Sequence, residues 1–454
     1  MTVIGLGIEG VDAARYAAAH GASVTVTDSK PAELLASRLR QLEGLPITYH
    51  LGQPLAEADV AGADVVFVSQ SVPLSLPPLA AARQRGQELT SMARYFLQRC
   101  PGPVAGITGS SGKTTTTALV ASMMEADGRA YRVGGNIGAG LLELLDGLDH
   151  ATWTVVELSH TQLQLTDRSP HVAAVLNVTP NHLDQFSWED YVELKRNIIR
   201  YQGEDDIAVL GLDDEVAASF AEGARGQVWH FTSRDSLPGS GALLRDEAVF
   251  IKRENVEEMV IAIDEIPLRG EHNVANVLAA AAIAAASGIE ADAIAEGVRT
   301  FRAVPHRLEV VGTVDGATWV NDSIATTPER VVAGLRSFDE PVVLLLGGRD
   351  KDLPKDELAR VALERCAGIV FFGESGALLE AAVEANAASV PYEERPVLSR
   401  VRTLAEAVAV AREMASPGDV VLLSPACTSF DAYANFEERG DEFRRLVRAM
   451  QEGR

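Results

Sequence analysis

The apolar positions of this chain fall into short unbroken runs that alternate with Ala-rich stretches of helical spacing. Up to about residue 92, the β-rich runs "SVTVTD" and "ADVVFVSQS" alternate with the helical stretches "VDAARYAAAHG" and "LPPLAAARQRG". That alternation predicts a parallel sheet with crossover helices. A second unit opens at "PVAGITGSSGKTTTTALVASMMEADG", where an apolar strand, a Gly-rich turn and an amphipathic helix closing near Gly128 follow directly. "ATWTVVELS" (151–159) and "HVAAVLNVT" (171–179) read as buried strands, and "NVANVLAAAAIAAASG" (273–288) as a long helix closed by Gly288. The acidic, turn-rich stretch 233–265 reads as a connecting excursion within this unit. A third unit follows "FRAVPHRLEVV" (301–311), where Pro305 breaks the helical pattern. There "EPVVLLLGG", "AGIVFFGES" and "GDVVLLSPA" read as buried strands between the helical stretches "KDELARVALERC" and "TLAEAVAVAREMA", which predicts another parallel α/β layer.

Length agrees with this division, because 454 residues exceed what one hydrophobic core usually serves and imply two or three domains. Hydrophobic residues make up 47% and charged residues 23%, and no apolar run approaches the roughly 20 residues that span a bilayer. The start, "MTVIGLGIEG", has neither the basic region nor the long apolar run of an export signal, so a cytoplasmic location without membrane attachment is expected. Cys100, Cys366 and Cys427 are odd in number and far apart, which fits neither a disulfide framework nor a zinc site. The formal net charge of −24 opposes nucleic acid as a partner. An anionic ligand must therefore be held by local devices such as helix N-termini, loop amides and a few placed cations.

Two stretches supply such devices. "GLGIEG" (Gly5, Gly7, Gly10) lies between the first strand and first helix, and Asp28 follows the second strand at the spacing of a ribose-binding acid. The motif does not say which nucleotide it holds, and glycines that only let a helix pack on a strand remain the plainer reading. "GITGSSGKTT" is more specific. Gly106, Gly109 and Gly112 leave backbone N–H groups able to cradle phosphate oxygens, Lys113 brings a positive charge to the β and γ phosphates, and Thr114 can ligate Mg²⁺. Glu157 ends the strand "TVVE" where a metal-side acid stands in many P-loop enzymes. His182 and Asp184 follow the next strand in a Pro-containing loop, and Lys195 by itself reads as a surface lysine.

These stretches occur together with "GNIG" (135–138), "VVELSHTQL", "NVTPNHLDQF" with "YVELK", "GEHNVAN", "VPHRLE", "NDSIATTP", "LLGGRDKDL" and "LLSPACTSFDAYANFEERGDEF". In that order they resemble the Mur ligase family, ATP-dependent amino-acid ligases of peptidoglycan precursor synthesis, over nearly the whole chain. The resemblance implies an α/β fold of three domains: a Rossmann-like UDP-substrate domain (1–92), a central P-loop ATPase-type parallel sheet (93–302) and a Rossmann-like amino-acid-binding domain (303–454). It also implies that Gly109, Gly112, Lys113, Thr114, Thr115, Asn273, Arg307 and Asp322 hold ATP. Two Mg²⁺ ions would sit on Thr114, Glu157, His182 and a carbamylated Lys195, with Lys113, Glu157, His182 and Lys195 as the catalytic set. Gly7, Asp28, Asn136 and Ser159 would take the UDP-sugar substrate, and Thr326, Lys351, Ser429 and Phe436 the incoming glutamate.

The implied reaction joins D-glutamate to UDP-N-acetylmuramoyl-L-alanine through an acyl phosphate, in a protein expected to work as a monomer. The chain departs from the family pattern at several positions. Ile324 replaces a lysine, Thr161 and Gln70 alter two substrate-side stretches, Asn181 replaces the aspartate before His182, and Arg94 stands where an acid is usual. An L-glutamate-adding relative or a folate-type ligase are the alternative enzymes, and a silent nucleotide-binding scaffold is the alternative outside catalysis.

Overall fold

Three sheets, laid down one after another along the chain, carry the architecture in a computed structural model. It describes all residues except 71, 136–139, 181–185, 269, 303–304, 337, 339, 388–390, 392–394 and 454, and the side chain at 37. The first sheet contains β1 (Thr2–Ile4), β2 (Val24–Asp28), β3 (Ile47–Leu51), β4 (Val65–Val68) and β5 (Glu88–Thr90), all parallel, in the order β3-β2-β1-β4-β5. The order reverses between β1 and β4, and the loop "GLGIEG" leaves β1 at that point, where α/β sheets characteristically open a ligand crevice. Gly10 has to be glycine here, since a Cβ would stand 1.9 Å from the Gly5 carbonyl oxygen.

The second sheet is larger. Its strands are β6 (Val104–Thr108), β7 (Tyr131–Gly135), β8 (Trp153–Glu157), β9 (Val172–Val175), β10 (Ile207–Gly211), β11 (Gln227–Thr232), β12 (Ser240–Arg245), β13 (Ala248–Arg253) and β14 (Val256–Ala262). They lie in the order β14-β13-β12-β11-β10-β9-β6-β8-β7, parallel from β7 to β12 and antiparallel at β13 and β14. The stretch 233–265 is therefore not a connecting excursion. It is the antiparallel end of the central sheet, and Ala242, Leu243, Val249, Ile251, Val260 and Ile261 bury their side chains in it. The helix expected at 273–288 runs Glu271–Ala286, with Gly288 two residues past its end.

The third sheet contains β15 (Glu309–Val314), β16 (Ala317–Asn321), β17 (Val342–Gly347), β18 (Cys366–Phe372), β19 (Val397–Arg400) and β20 (Val420–Ala426), ordered β15-β16-β20-β17-β18-β19. Only β15 is antiparallel to its neighbour. Every residue of β17 is buried, as a strand covered by helices on both faces requires, and each such Val or Leu contributes about 1.5–3 kcal/mol of burial.

The chain forms two compact units. One comprises Met1–Pro267 with Asn273–Phe301, and the other Leu268–His272 with Arg302–Arg454. The first two sheets belong to the former and the third sheet to the latter.

Candidate active site

In the first unit the phosphate loop leaves β6, whose five residues are all buried. The helix Lys113–Ala126 follows, and its first turn presents N–H groups that no intrahelical carbonyl takes up. Gly112 precedes it with φ of 80°, in the left-handed region, and a Cβ there would meet Asn276 Oδ1 at 2.3 Å. The Lys113 ammonium folds back over the loop and donates to the carbonyls of Gly109 at 2.9 Å and Ser110 at 3.4 Å. The loop is pinned from β9's side: Asn177 Oδ1 accepts from the Ser111 amide at 2.9 Å, and the Ser110 hydroxyl bonds Tyr191 Oη at 3.1 Å. Thr114 is half-buried at the helix start and Thr115 is buried. A glycine cradle, a helix N-terminus and an ammonium lying across them fit a nucleotide phosphate.

Glu157 and Lys195 flank this loop. β8 pairs directly with β6 and sets Glu157 opposite Ile107, and the carboxylate residue is 2% exposed. The Thr108 hydroxyl donates to the Leu158 carbonyl at 2.7 Å and locks the two strand ends together. Lys195 lies on the helix Trp188–Arg200 and is 1% exposed, its Nζ 4.9 Å from the centre of the Tyr191 ring. Burial, and then the charge of Lys113, push its pKa well below the ordinary lysine value. The surface reading of this lysine is thus corrected. His182, Asn136 and Asn181 lie outside the described residues. Among the described residues no three His, Cys, Asp or Glu side chains converge.

Around the "GLGIEG" loop, Gly7 is the N-cap of the helix Ile8–Ala19. Both oxygens of Asp28 are engaged, accepting from the amides of Leu6 at 2.7 Å and Lys30 at 2.8 Å, so this acid braces the loop. Ser159 stands beyond β8, and Gln70 Oε1 accepts from both the Ser159 and Thr161 hydroxyls at 3.2 Å. Two of the departures from the family pattern, Gln70 and Thr161, therefore touch each other. Beneath them the buried Glu9 carboxylate accepts from the Gln70 amide at 3.1 Å and Gln162 Nε2 at 2.7 Å, while its burial raises its pKa. Arg94, a third departure, pairs with Asp167 at 2.8 Å. Asn273 is buried, its Oδ1 accepting from Asn276 Nδ2 at 3.1 Å.

In the second unit, Lys351 Nζ donates to the Thr326 hydroxyl at 3.1 Å. Burial lowers the Lys351 pKa, and the nearby Arg330 lowers it further. Ser429 is buried in the turn after β20, and Phe436 opens the helix Phe436–Gln451 with its ring edge-on to His306 at 6.2 Å. Asp322 is buried, accepting from the Ser424 hydroxyl at 2.8 Å and the Leu308 amide at 3.2 Å; burial lifts its pKa to about 7 against the pull of Arg307 and Arg330. Below these groups lies Arg439, fully buried. Its guanidinium donates to the carbonyls of Ser323 at 2.9 Å and Cys427 at 3.2 Å and to the Ser323 hydroxyl at 3.0 Å, and burial lowers its pKa to about 10.

The structure thus gathers Lys113, Glu157 and Lys195, separately gathers Thr326 with Lys351, and gives Asp28 a bracing contact. The sequence reading did not single out Tyr191, Asn177, Asn276, Arg330 or Arg439. Tyr191 had a signal, since it stands four residues before Lys195 and so on the same helix face. Asn276, three residues after Asn273, had one too.

Residues 1–91 match the Mur ligase MurD-like N-terminal domain, 107–284 the Mur ligase middle domain, and 306–427 the Mur ligase glutamate ligase domain. A UDP-N-acetylmuramoylalanine-D-glutamate ligase from Symbiobacterium thermophilum is 42% identical over 451 residues, covering 99% of this chain and 97% of its own. One of the same name from Koribacter versatilis is 37% identical over 452 residues, with 99% and 97% covered. Among solved structures, UDP-N-acetylmuramate-alanine ligase from Thermotoga maritima has a TM-score of 0.61 at 20% identity, with 100% of this chain and 99% of that one covered. Folylpolyglutamate synthase from Mycobacterium tuberculosis has 0.56 at 16%, with 80% and 94% covered. At these identities the structural likeness is one of fold.

Proposed function

Because this chain belongs to the Mur ligase family, we propose that it is the ATP-dependent, ADP-forming ligase that joins D-glutamate to UDP-N-acetylmuramoyl-L-alanine in peptidoglycan precursor synthesis. The observation that carries the chemistry is the trio around the phosphate loop: Lys113 across the cradle, Glu157 on the adjoining strand, and the buried amine of Lys195. A carboxylate resists attack because an incoming nucleophile must push more charge onto an anion. Transfer of the terminal phosphoryl of ATP to the alanyl carboxylate removes that obstacle by giving an acyl phosphate. The amine of glutamate then adds, and the amide closes as phosphate leaves.

In this reading Gly109, Gly112 and Thr115 cradle the phosphates and Lys113 follows the charge that builds on the transferred group, the electrostatic contribution expected to dominate such reactions. Mg²⁺, when bound, supplies further charge neutralisation, with Thr114, Glu157, His182 and Lys195 as its holders. Lys195 fits that part only as a carbamate. Its neutral amine, favoured by burial, adds to CO₂ with loss of a proton and becomes an anion beside Lys113. Gly7, Asn136 and Ser159 are assigned to the UDP-sugar, with Asp28 bracing the loop that receives it; Asn273, Arg307 and Asp322 are assigned to the nucleotide, and Thr326, Lys351, Ser429 and Phe436 to the amino acid. Domain limits at 92/93 and 302/303 are supported by the three sheets, one of which falls within each segment. No helix among the described residues is long and apolar enough to cross a membrane, and we take a cytoplasmic monomer as the working form.

The test supplies ATP, Mg²⁺, the UDP-sugar-alanine and one glutamate enantiomer at a time, and measures released phosphate. Release with D-glutamate is expected. Release with L-glutamate alone would move the chain to an L-adding specificity, and release with neither would overturn the ligase reading.

A further inference from the structure

The loop after β16 carries Thr326 but contributes no cation of its own, since position 324 is an isoleucine. A cation reaches this loop from the next helix. Arg330, on the helix Pro328–Leu335, donates from Nη1 to the Ile324 carbonyl at 3.2 Å, and the same carbonyl accepts from the Thr326 amide at 2.8 Å. The guanidinium is thereby anchored to the strand end whose Thr326 hydroxyl receives Lys351 Nζ at 3.1 Å.

We propose that Arg330 is a specificity residue of the amino-acid site, where its guanidinium, held on the Ile324 carbonyl, works with Lys351 to bind the carboxylates of the incoming glutamate. This rests on the functional reading above. Three observations support it. Neither Lys351 nor Arg330 makes an ion pair with any Asp or Glu among the described residues, although acidic side chains are plentiful in this chain. Asp322, an acid that feels the charge of Arg330, commits its two oxygens to Ser424 and Leu308 instead. Finally, one of the five N–H donors of Arg330 is used on Ile324, leaving a fork suited to a carboxylate.

Two neighbouring like charges repel, and Arg330 adds to the burial that already weakens the hold of Lys351 on its proton. A ligand with two carboxylates can answer both cations, whereas a neutral or basic amino acid brings only its α-carboxylate. The pair thus selects the charge class of the substrate, and Thr326 fixes the position of Lys351 within it.

Steady-state kinetics on the full-length protein test the assignment. Arg330→Ala should raise the KM for D-glutamate about 10- to 100-fold, the value of one charge-assisted contact, while the KM values for ATP and the UDP-sugar-alanine stay within about threefold. Arg330→Lys should fall between. The double variant Arg330→Ala/Ile324→Lys, which returns a cation from the loop side, should regain part of the loss. An unchanged D-glutamate KM in Arg330→Ala, in a protein whose parent turns over D-glutamate, would overturn the proposal and leave the ligase reading intact. So would a fall in kcat with no change in that KM, or equal losses toward all three substrates that Arg330→Lys and the double variant fail to relieve. If the parent itself does not use D-glutamate, the functional reading fails first and takes this proposal with it.

Discussion

The phosphate loop and the loops proposed for the amino acid would both hold anions, and they are built by opposite means. At the first, backbone does most of the work: Gly112 in the left-handed region, a helix N-terminus, and one ammonium resting on the Gly109 and Ser110 carbonyls. At the second, side chains would do it: Lys351 on Thr326 and Arg330 on the Ile324 carbonyl, with Arg439 tying the strand ends together beneath. The difference extends to titration. Burial drives Lys195 toward its neutral amine and Asp322 toward its neutral acid, one cause acting with opposite sign on the two pKa values. A backbone-built site tolerates almost no substitution, whereas a side-chain-built site can move a charge from one position to another and keep its chemistry.

The sharpest way to break this contrast is Lys113→Ala. Loss of the one cation in the backbone-built site should lower kcat for phosphate release by about 10³-fold, roughly 4 kcal/mol in the barrier, with the fold intact by circular dichroism. A rate equal to the parent's would remove the enzymatic reading altogether.

A smaller effect, about 10-fold or more, is expected from CO₂ depletion at mildly acid pH, followed by recovery on adding bicarbonate. At neutral pH an ordinary lysine has roughly 0.1% or less of its amine neutral, so the lowered pKa of Lys195 is what would make a carbamate accessible. A carbamate carbon signal from labelled CO₂ should vanish in Lys195→Ala. Full activity without CO₂ would leave the buried amine with no catalytic part.

A further effect, on stability rather than rate, concerns Asp322. Its folded pKa of about 7 lies above the ordinary 3.8, so the folded state binds the proton more readily than the unfolded chain does. The stability this proton contributes is full below about pH 4 and is lost as pH rises through about 7. Relative to Asp322→Asn, the parent should therefore lose about 1.4 kcal/mol per pH unit across that window in urea titrations. Parallel curves for the two proteins would mean that the carboxyl stays ionised when folded.

The same contrast explains how far the sequence could be read. Gly109, Gly112 and Lys113 announce their chemistry because only a few residues satisfy a left-handed loop at a helix start. Arg330 and Arg439 do not, because an arginine on a helix has the same one-dimensional signature whether it meets solvent, a ligand or buried carbonyls. The parallel strands were legible as apolar runs. The β12–β14 meander was not, since its turns place Asp246, Glu247 and Glu254 at positive φ, where the recognisable hairpin signals are Asn-Gly and Asp-Gly. Lys195 looked like a surface residue for a related reason: it is buried with its ammonium against the Tyr191 ring and feels the charge of Lys113, which is far from it in sequence.

Arg439 has one more implication. Its guanidinium fastens Ser323 and Cys427 from inside, so the loops that carry Thr326 and Ser429 share one buried anchor. Their outward-facing residues are then free to drift one at a time, and an isoleucine at 324 can persist without unravelling its surroundings. A protein engineer seeking a ligase for another acidic amino acid would vary 324, 330 and 351 together and leave 439 untouched.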